Sequence, residues 1–216
     1  MAEAEKLFAL VDQDDAAGLA AAVGERSASG LVNENGESLY LYATYRGHTK
    51  CAELLAGRGG LSLHEAAAAG ALARVDACLD AAPWAVTTLS ADGWTALHLA
   101  AFLGRDVTVE RLLERGANPR QWGRAADSNL AMHAASAGRR IGRGAFAKLV
   151  AATRDPDIPQ KAGYTALMIA AANGFSDAAD ALMAAGADRA RKTPDGRTAA
   201  DFARERGHGE IARRLS

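Results

Sequence analysis

Gly93-Trp94-Thr95-Ala96-Leu97-His98-Leu99-Ala100-Ala101-Phe102-Leu103-Gly104 decides the fold, because each residue in it has a mechanical reason and weaker copies recur along the chain. Gly93 admits the positive φ of a tight turn. Thr95 suits the cap of the helix that follows, and Leu97 with Ala100 and Ala101 makes a narrow apolar stripe at helical spacing. The small alanines let a neighbouring helix come close. After Gly104 a second short helix carries Val109, Leu112 and Leu113 on one face, and Gly116-Ala117-Asn118 supplies a stop and a return loop. The unit reads turn, helix, helix, loop.

Copies appear when each stretch is aligned on the place that His98 holds. Phe8 holds it first, with a charged start (Glu3, Glu5, Lys6) that suits an end cap facing water. Leu41 holds it in the second copy, His64 in the third, His133 in the fifth, Met168 in the sixth and Asp201 in the seventh. The successive intervals are 33, 23, 34, 35, 35 and 33 residues. Five of them sit close to one period. The short step implies that about ten residues are missing between the second and third copies. Gly57-Arg58-Gly59-Gly60 then reads as a short link, with a notch in the row of turns and a locally weaker interface. The fifth copy is irregular in the other sense: Gly138-Arg139-Arg140-Ile141-Gly142-Arg143-Gly144 is about two residues too long between its helices. Arg204, Arg206, Arg213 and Arg214 mark a second cap.

This unit resembles the ankyrin repeat, with its T-P-L-H-x-A signature and period of about 33 residues, read here as Thr95-Ala96-Leu97-His98-Leu99-Ala100. The resemblance spans essentially the whole chain. It implies an all-α solenoid of about seven helix-turn-helix repeats with capping end repeats in a single domain, 1–216. The repeats fall at approximately 3–32, 33–60, 61–89, 90–122, 123–159, 160–192 and 193–216. In this family the histidine bridges turn and helix backbones, and the place after the inter-helix glycine, held by His48 and His208, is ordinary.

Composition agrees with a folded chain: 216 residues, 49% hydrophobic, formal net charge -1. No window approaches the roughly 18 to 20 apolar residues of a membrane span, and the first residues lack a basic stretch followed by an apolar run. The expected compartment is the cytoplasm. Cys51 and Cys78 fall among apolar positions of second helices, so both are read as buried, reduced thiols.

The chemistry-bearing residues have structural explanations. Histidines one repeat apart stand roughly 10 Å from one another, a helix-layer thickness, whereas a metal needs ligands about 2 Å from one ion. Ser38, Ser62, Ser128 and Ser136 lie in no Gly-x-Ser-x-Gly elbow. The glycine-rich runs lack the ending of a phosphate loop. Neither catalytic residues, a metal nor a cofactor is expected.

Surface is what remains. In an ankyrin stack the turn tips and the exposed ends of first helices line one concave side. Those places hold Tyr45 and Arg46 in the second repeat, Trp94, Phe102 and Leu103 in the fourth, Trp122 entering the fifth, and Tyr164 and Asn173 in the sixth. Large side chains where solvent is expected point to a contact surface, although Trp94 and Tyr164 also suit packing on the next turn. Residues 101–154 carry 10 basic and 4 acidic side chains. This block, with Arg120, Arg124, Arg139, Arg140, Arg143, Lys148 and Arg154, reads as a solvated face or as an attractor of an acidic or phosphate-rich partner. No basic-aromatic alternation accompanies it, which argues against nucleic acid. The expectation is a monomeric protein-binding module, adaptor or inhibitor-like, with an unidentified protein partner and neither membrane nor nucleic acid. The alternatives are an effector or regulatory subunit acting on an enzyme partner and, third, an enzyme.

Overall fold

The computed structural model describes residues 2–24, 30–124, 128–138 and 141–216. Of the residues singled out above, Arg139, Arg140 and the side chain of Glu3 lie outside this description. The chain divides into two compact units, Met1–Ala96 and Leu97–Ser216, each taken by itself below.

Among the described residues the first unit holds the helix pairs α1 (Ala2–Asp12) with α2 (Ala16–Val23), α3 (Leu39–Arg46) with α4 (Thr49–Gly57), and α5 (Leu63–Ala69) with α6 (Leu72–Ala81). A 3-10 turn, Pro83–Thr87, follows where proline stops the helix. First helices pack on first helices (α1 on α3, α3 on α5) and α2 packs on α4. Such short helices are marginal alone; burial of Val11, Leu19, Leu39, Cys51, Val75 and Leu79 against neighbours holds them, at roughly 1.5 to 3 kcal/mol per large side chain. Cys51 is buried as expected, but Cys78 is only half-buried; both are free thiols.

The third repeat corrects the register read from the sequence. Ser62 caps α5 and Glu65, three residues on, returns the capping box by accepting from the Ser62 N–H at 2.9 Å. The same relation joins Leu130 to His133 and Thr198 to Asp201, so Glu65, not His64, holds the place of His133 at the helix start. Counted this way, the step from Leu41 is 24 residues and the step to His98 is 33. His64 keeps its distance from the following glycine, Gly70, as His98 does from Gly104. The first helix has lost one residue between cap and glycine, and that loss splits one position into two.

The expected notch is also corrected. Two short hairpins close with isolated antiparallel bridges, Val32 to Ser38 and Leu89 to Thr95. Gly36, at φ +77°, lies so close to the second hairpin that an added Cβ would stand 2.4 Å from the Ala91 carbonyl oxygen. With the third turn deleted, the second turn leans directly on the fourth. Tyr45 seals the contact by donating its hydroxyl to Asp92 at 2.9 Å.

The second unit holds α7 (Ala96–Phe102, entered at its second residue) with α8 (Asp106–Glu114), and α9 (Ala131–Ala137) with α10 (Arg143–Thr153). After them come α11 (Ala166–Ala172) with α12 (Ser176–Ala184), and α13 (Ala199–Glu205) with α14 (Gly209–Leu215). Leu97, Leu112, Met132, Phe146, Leu149, Leu167 and Leu182 are buried in its core. The link from α9 to α10 has five residues where α7–α8 and α11–α12 have three, which matches the two extra residues read from the sequence. Gly142 anchors the late helix by donating its N–H to Asp106 at 2.8 Å. An added Cβ there would fall 2.1 Å from the Asp106 carboxylate.

Candidate functional site

The histidines are tied into the backbone. In His133, Nδ1 accepts the Leu130 N–H at 3.1 Å, so Nε2 carries the proton and donates to the Ile158 carbonyl at 2.8 Å. His98 Nε2 meets the Asn129 carbonyl at 3.0 Å, and His64 Nε2 meets that of Thr88 at 3.0 Å. Burial pulls all three below the usual imidazole range, His133 to about 4, against the opposing pull of the backbone carbonyls. Both His133 ring nitrogens are engaged, and neutral rings stitch one helix to the next turn. In the third repeat the two jobs are divided: His64 reaches the turn, while Glu65 closes the capping box. Buried Glu65 also accepts the Ser38 hydroxyl at 2.7 Å, so this carboxylate ties the second repeat to the third.

The structure sorts the eight candidate binding residues into two groups. Leu103 is a correction: it is 3% exposed, because it stands four residues after buried Leu99 on the same helical face and turns inward. Tyr45 is half-buried and spent on Asp92; burial first, then that carboxylate, raises its hydroxyl above the usual tyrosine range. Tyr164 packs edge-to-face on Phe202, centroids 5.4 Å apart. Asn173 donates to the carbonyls of Ser136, at 3.2 Å, and Ile169, at 3.0 Å, stitching α11 to α9. Phe102 is half-buried, with its carbonyl and ring seated over Gly138. Trp94 is half-buried in its hairpin. Arg46 and Trp122 are exposed, Trp122 at 44%. Most of the aromatic concentration read from the sequence therefore serves the stack.

Open grooves lie on the first-helix side of the described residues. In the first unit, Phe8 and Tyr42 meet edge-to-face at 4.9 Å, and Val32, Asn33, Glu34 and Asn35 of the hairpin face Glu5 and Asp12 of α1 across a groove of about 640 Å3. Arg46 lies 3.5 Å above the Tyr42 ring and pairs with Glu37. In the second unit, Tyr164, Ile169, Asn173, Arg197, Phe202 and Arg206 line a smaller groove of about 330 Å3. There Arg197 stacks on Phe202 and pairs with Asp195 and Glu205.

Sequence reasoning missed Trp84, 71% exposed in the 3-10 turn; the signal was an aromatic after a helix-stopping proline. It also missed Phe8 and Tyr42 as groove walls. The basic block is partly neutralised, since Lys148 pairs with Glu110 at 2.7 Å. Among the described residues no group of three or more histidine, cysteine or acidic side chains is placed to hold a metal, and no helix is long and apolar enough to cross a membrane.

A family model described as ankyrin repeats (3 copies) matches residues 11–122 and 131–216. The chain belongs to the ankyrin repeat family. Ankyrin repeats are generally protein–protein interaction modules.

Proposed function

We propose that this ankyrin repeat protein binds a partner protein through the side carried by its first helices and hairpins, as an adaptor or inhibitor. The observation that carries the reading is the open groove of the first unit: it exposes Val32, Glu5, Glu34 and Arg46 at positions that stacking does not use. Repeat folds stabilise themselves through nearest-neighbour interfaces and leave such a side for recognition. Trp122 and Arg46 belong to residue types that anchor interfaces. We place the protein in the cytoplasm, a reading supported by its two free thiols, and we take it as a monomer. A pull-down at low and moderate salt tests the proposal. A stoichiometric partner supports it; substrate turnover by the purified chain with no partner recovered overturns it.

A further inference from the structure

The groove of the first unit has a chemistry that selects among partners. Its floor is apolar, built from Phe8 and Tyr42, and Val32, 44% exposed, extends that surface to the rim. Among the described residues three carboxylates stand around it: Glu5 and Asp12 from α1 and Glu34 from the hairpin. Among the described residues one cation lines it, Arg46, and it is already engaged with the Tyr42 ring and Glu37. Among the described residues Glu5 and Glu34 form no ion pair. Tyr42 donates its hydroxyl to Asp12 Oδ1 at 2.7 Å, which leaves the second carboxylate oxygen for another donor. The acidic excess extends beyond the groove, since residues 1–96 carry 13 acidic and 6 basic side chains.

We propose that this groove receives a segment of the partner protein that carries an arginine or lysine beside an aliphatic side chain, an inference that rests on the protein-binding reading above. The aliphatic side chain covers Val32 and the exposed parts of Phe8 and Tyr42. The cation reaches the carboxylates of Glu5, Asp12 and Glu34 and not the Tyr42 face, which Arg46 occupies. A volume of about 640 Å3 lies within the range of pockets that enclose a few side chains. An acidic segment meets repulsion from three sides, and a purely basic one leaves the apolar floor wet.

Fluorescence anisotropy of the full chain with three labelled octapeptides tests this: one of leucine and arginine, one of leucine and glutamate, one of serine and arginine. The leucine–arginine peptide binds and the leucine–glutamate peptide does not. The double variant Glu5→Gln/Glu34→Gln weakens that binding about tenfold at low salt. Val32→Ser weakens it about threefold, and Glu53→Gln, an acid of α4 outside the groove, leaves it unchanged. These positions are exposed, and unchanged urea midpoints verify that each variant folds. Equal binding of the serine–arginine peptide, or an equal loss in Glu53→Gln, means diffuse charge attraction and overturns the proposal. A dimer that disappears in Glu5→Gln/Glu34→Gln assigns the groove to a second copy and overturns it too. A stoichiometric partner from the pull-down that binds the double variant as tightly as the unaltered chain overturns this inference alone, whereas turnover by the purified chain with no partner recovered overturns the protein-binding reading itself.

Discussion

Acid should loosen the histidine ladder, and His133→Gln isolates its strongest rung. His133 is 1% exposed and its pKa is pulled from 6.5 to about 4, chiefly by burial. Between those values the unfolded chain takes up a proton that the folded chain refuses. The contribution of the neutral buried ring is therefore complete above about pH 6.5 and is lost as the pH falls toward 4. The interval corresponds to roughly 3 kcal/mol, and His98 and His64 shift in the same direction. At pH 7, His133→Gln keeps an acceptor for the Leu130 N–H but loses the ring's reach to the Ile158 carbonyl, and it is less stable than the unaltered protein by about 1 to 2 kcal/mol. Toward pH 4.5 that gap closes or reverses, because the variant has no imidazole to protonate. Urea unfolding followed by circular dichroism across about pH 7 to 4.5 reads the gap directly. A gap constant over the whole range refutes the assignment of a neutral, backbone-bonded ring.

Glu65→Ala strands the Ser62 N–H and the Ser38 hydroxyl, and a destabilisation of about 2 to 4 kcal/mol is expected; a double-mutant cycle with Ser38→Ala should give a coupling of about 1 to 2 kcal/mol, and no coupling would dissolve the link between the second and third repeats. Gly36→Val forces a branched side chain at φ +77° into the Ala91 carbonyl, so hydrogen exchange should accelerate in residues 30–37 and 88–94 together; acceleration confined to the first hairpin would mean that the two turns do not lean on each other. Asn173→Ala removes two bonds to carbonyls and should lower stability by about 0.5 to 1.5 kcal/mol in chemical denaturation, while an unchanged midpoint would release Asn173 from the stack.

The repeat was legible because its signals are local. Thr165 and Thr198 cap helices that the sequence delimits by itself, and glycines at fixed places, such as Gly47 and Gly174, take the left-handed conformation that ends a first helix. The third repeat was read one residue out of register because His64 lies the same distance before Gly70 as His98 before Gly104. The hydrogen bonds of Glu65 show which residue closes the capping box, and Ser62 followed three residues later by Glu65 already carries that signature in the sequence. The deleted turn was legible as a gap in spacing, but its consequence depends on how far Gly36 reaches across space. The binding face was the least legible part. Whether an aromatic at a turn or helix end faces solvent depends on what a later repeat offers it: Asp92 for Tyr45, Phe202 for Tyr164, Gly138 for Phe102. Leu103 is the exception, since its four-residue spacing from Leu99 already places it inside.

Affinity for the recovered partner, measured by calorimetry alongside melting temperature for four single variants, bears most directly on how this protein works. Arg46→Ala and Trp122→Ala alter the first-helix and turn side; Val107→Ala and Lys148→Ala alter exposed positions of the second helices α8 and α10. At least one of the first pair should weaken binding about 30-fold or more, with the melting temperature nearly unchanged. The second pair should leave both quantities alone. Loss of affinity in Val107→Ala or Lys148→Ala, with full affinity retained in Arg46→Ala and Trp122→Ala, would contradict the assignment of binding to the first helices and turns.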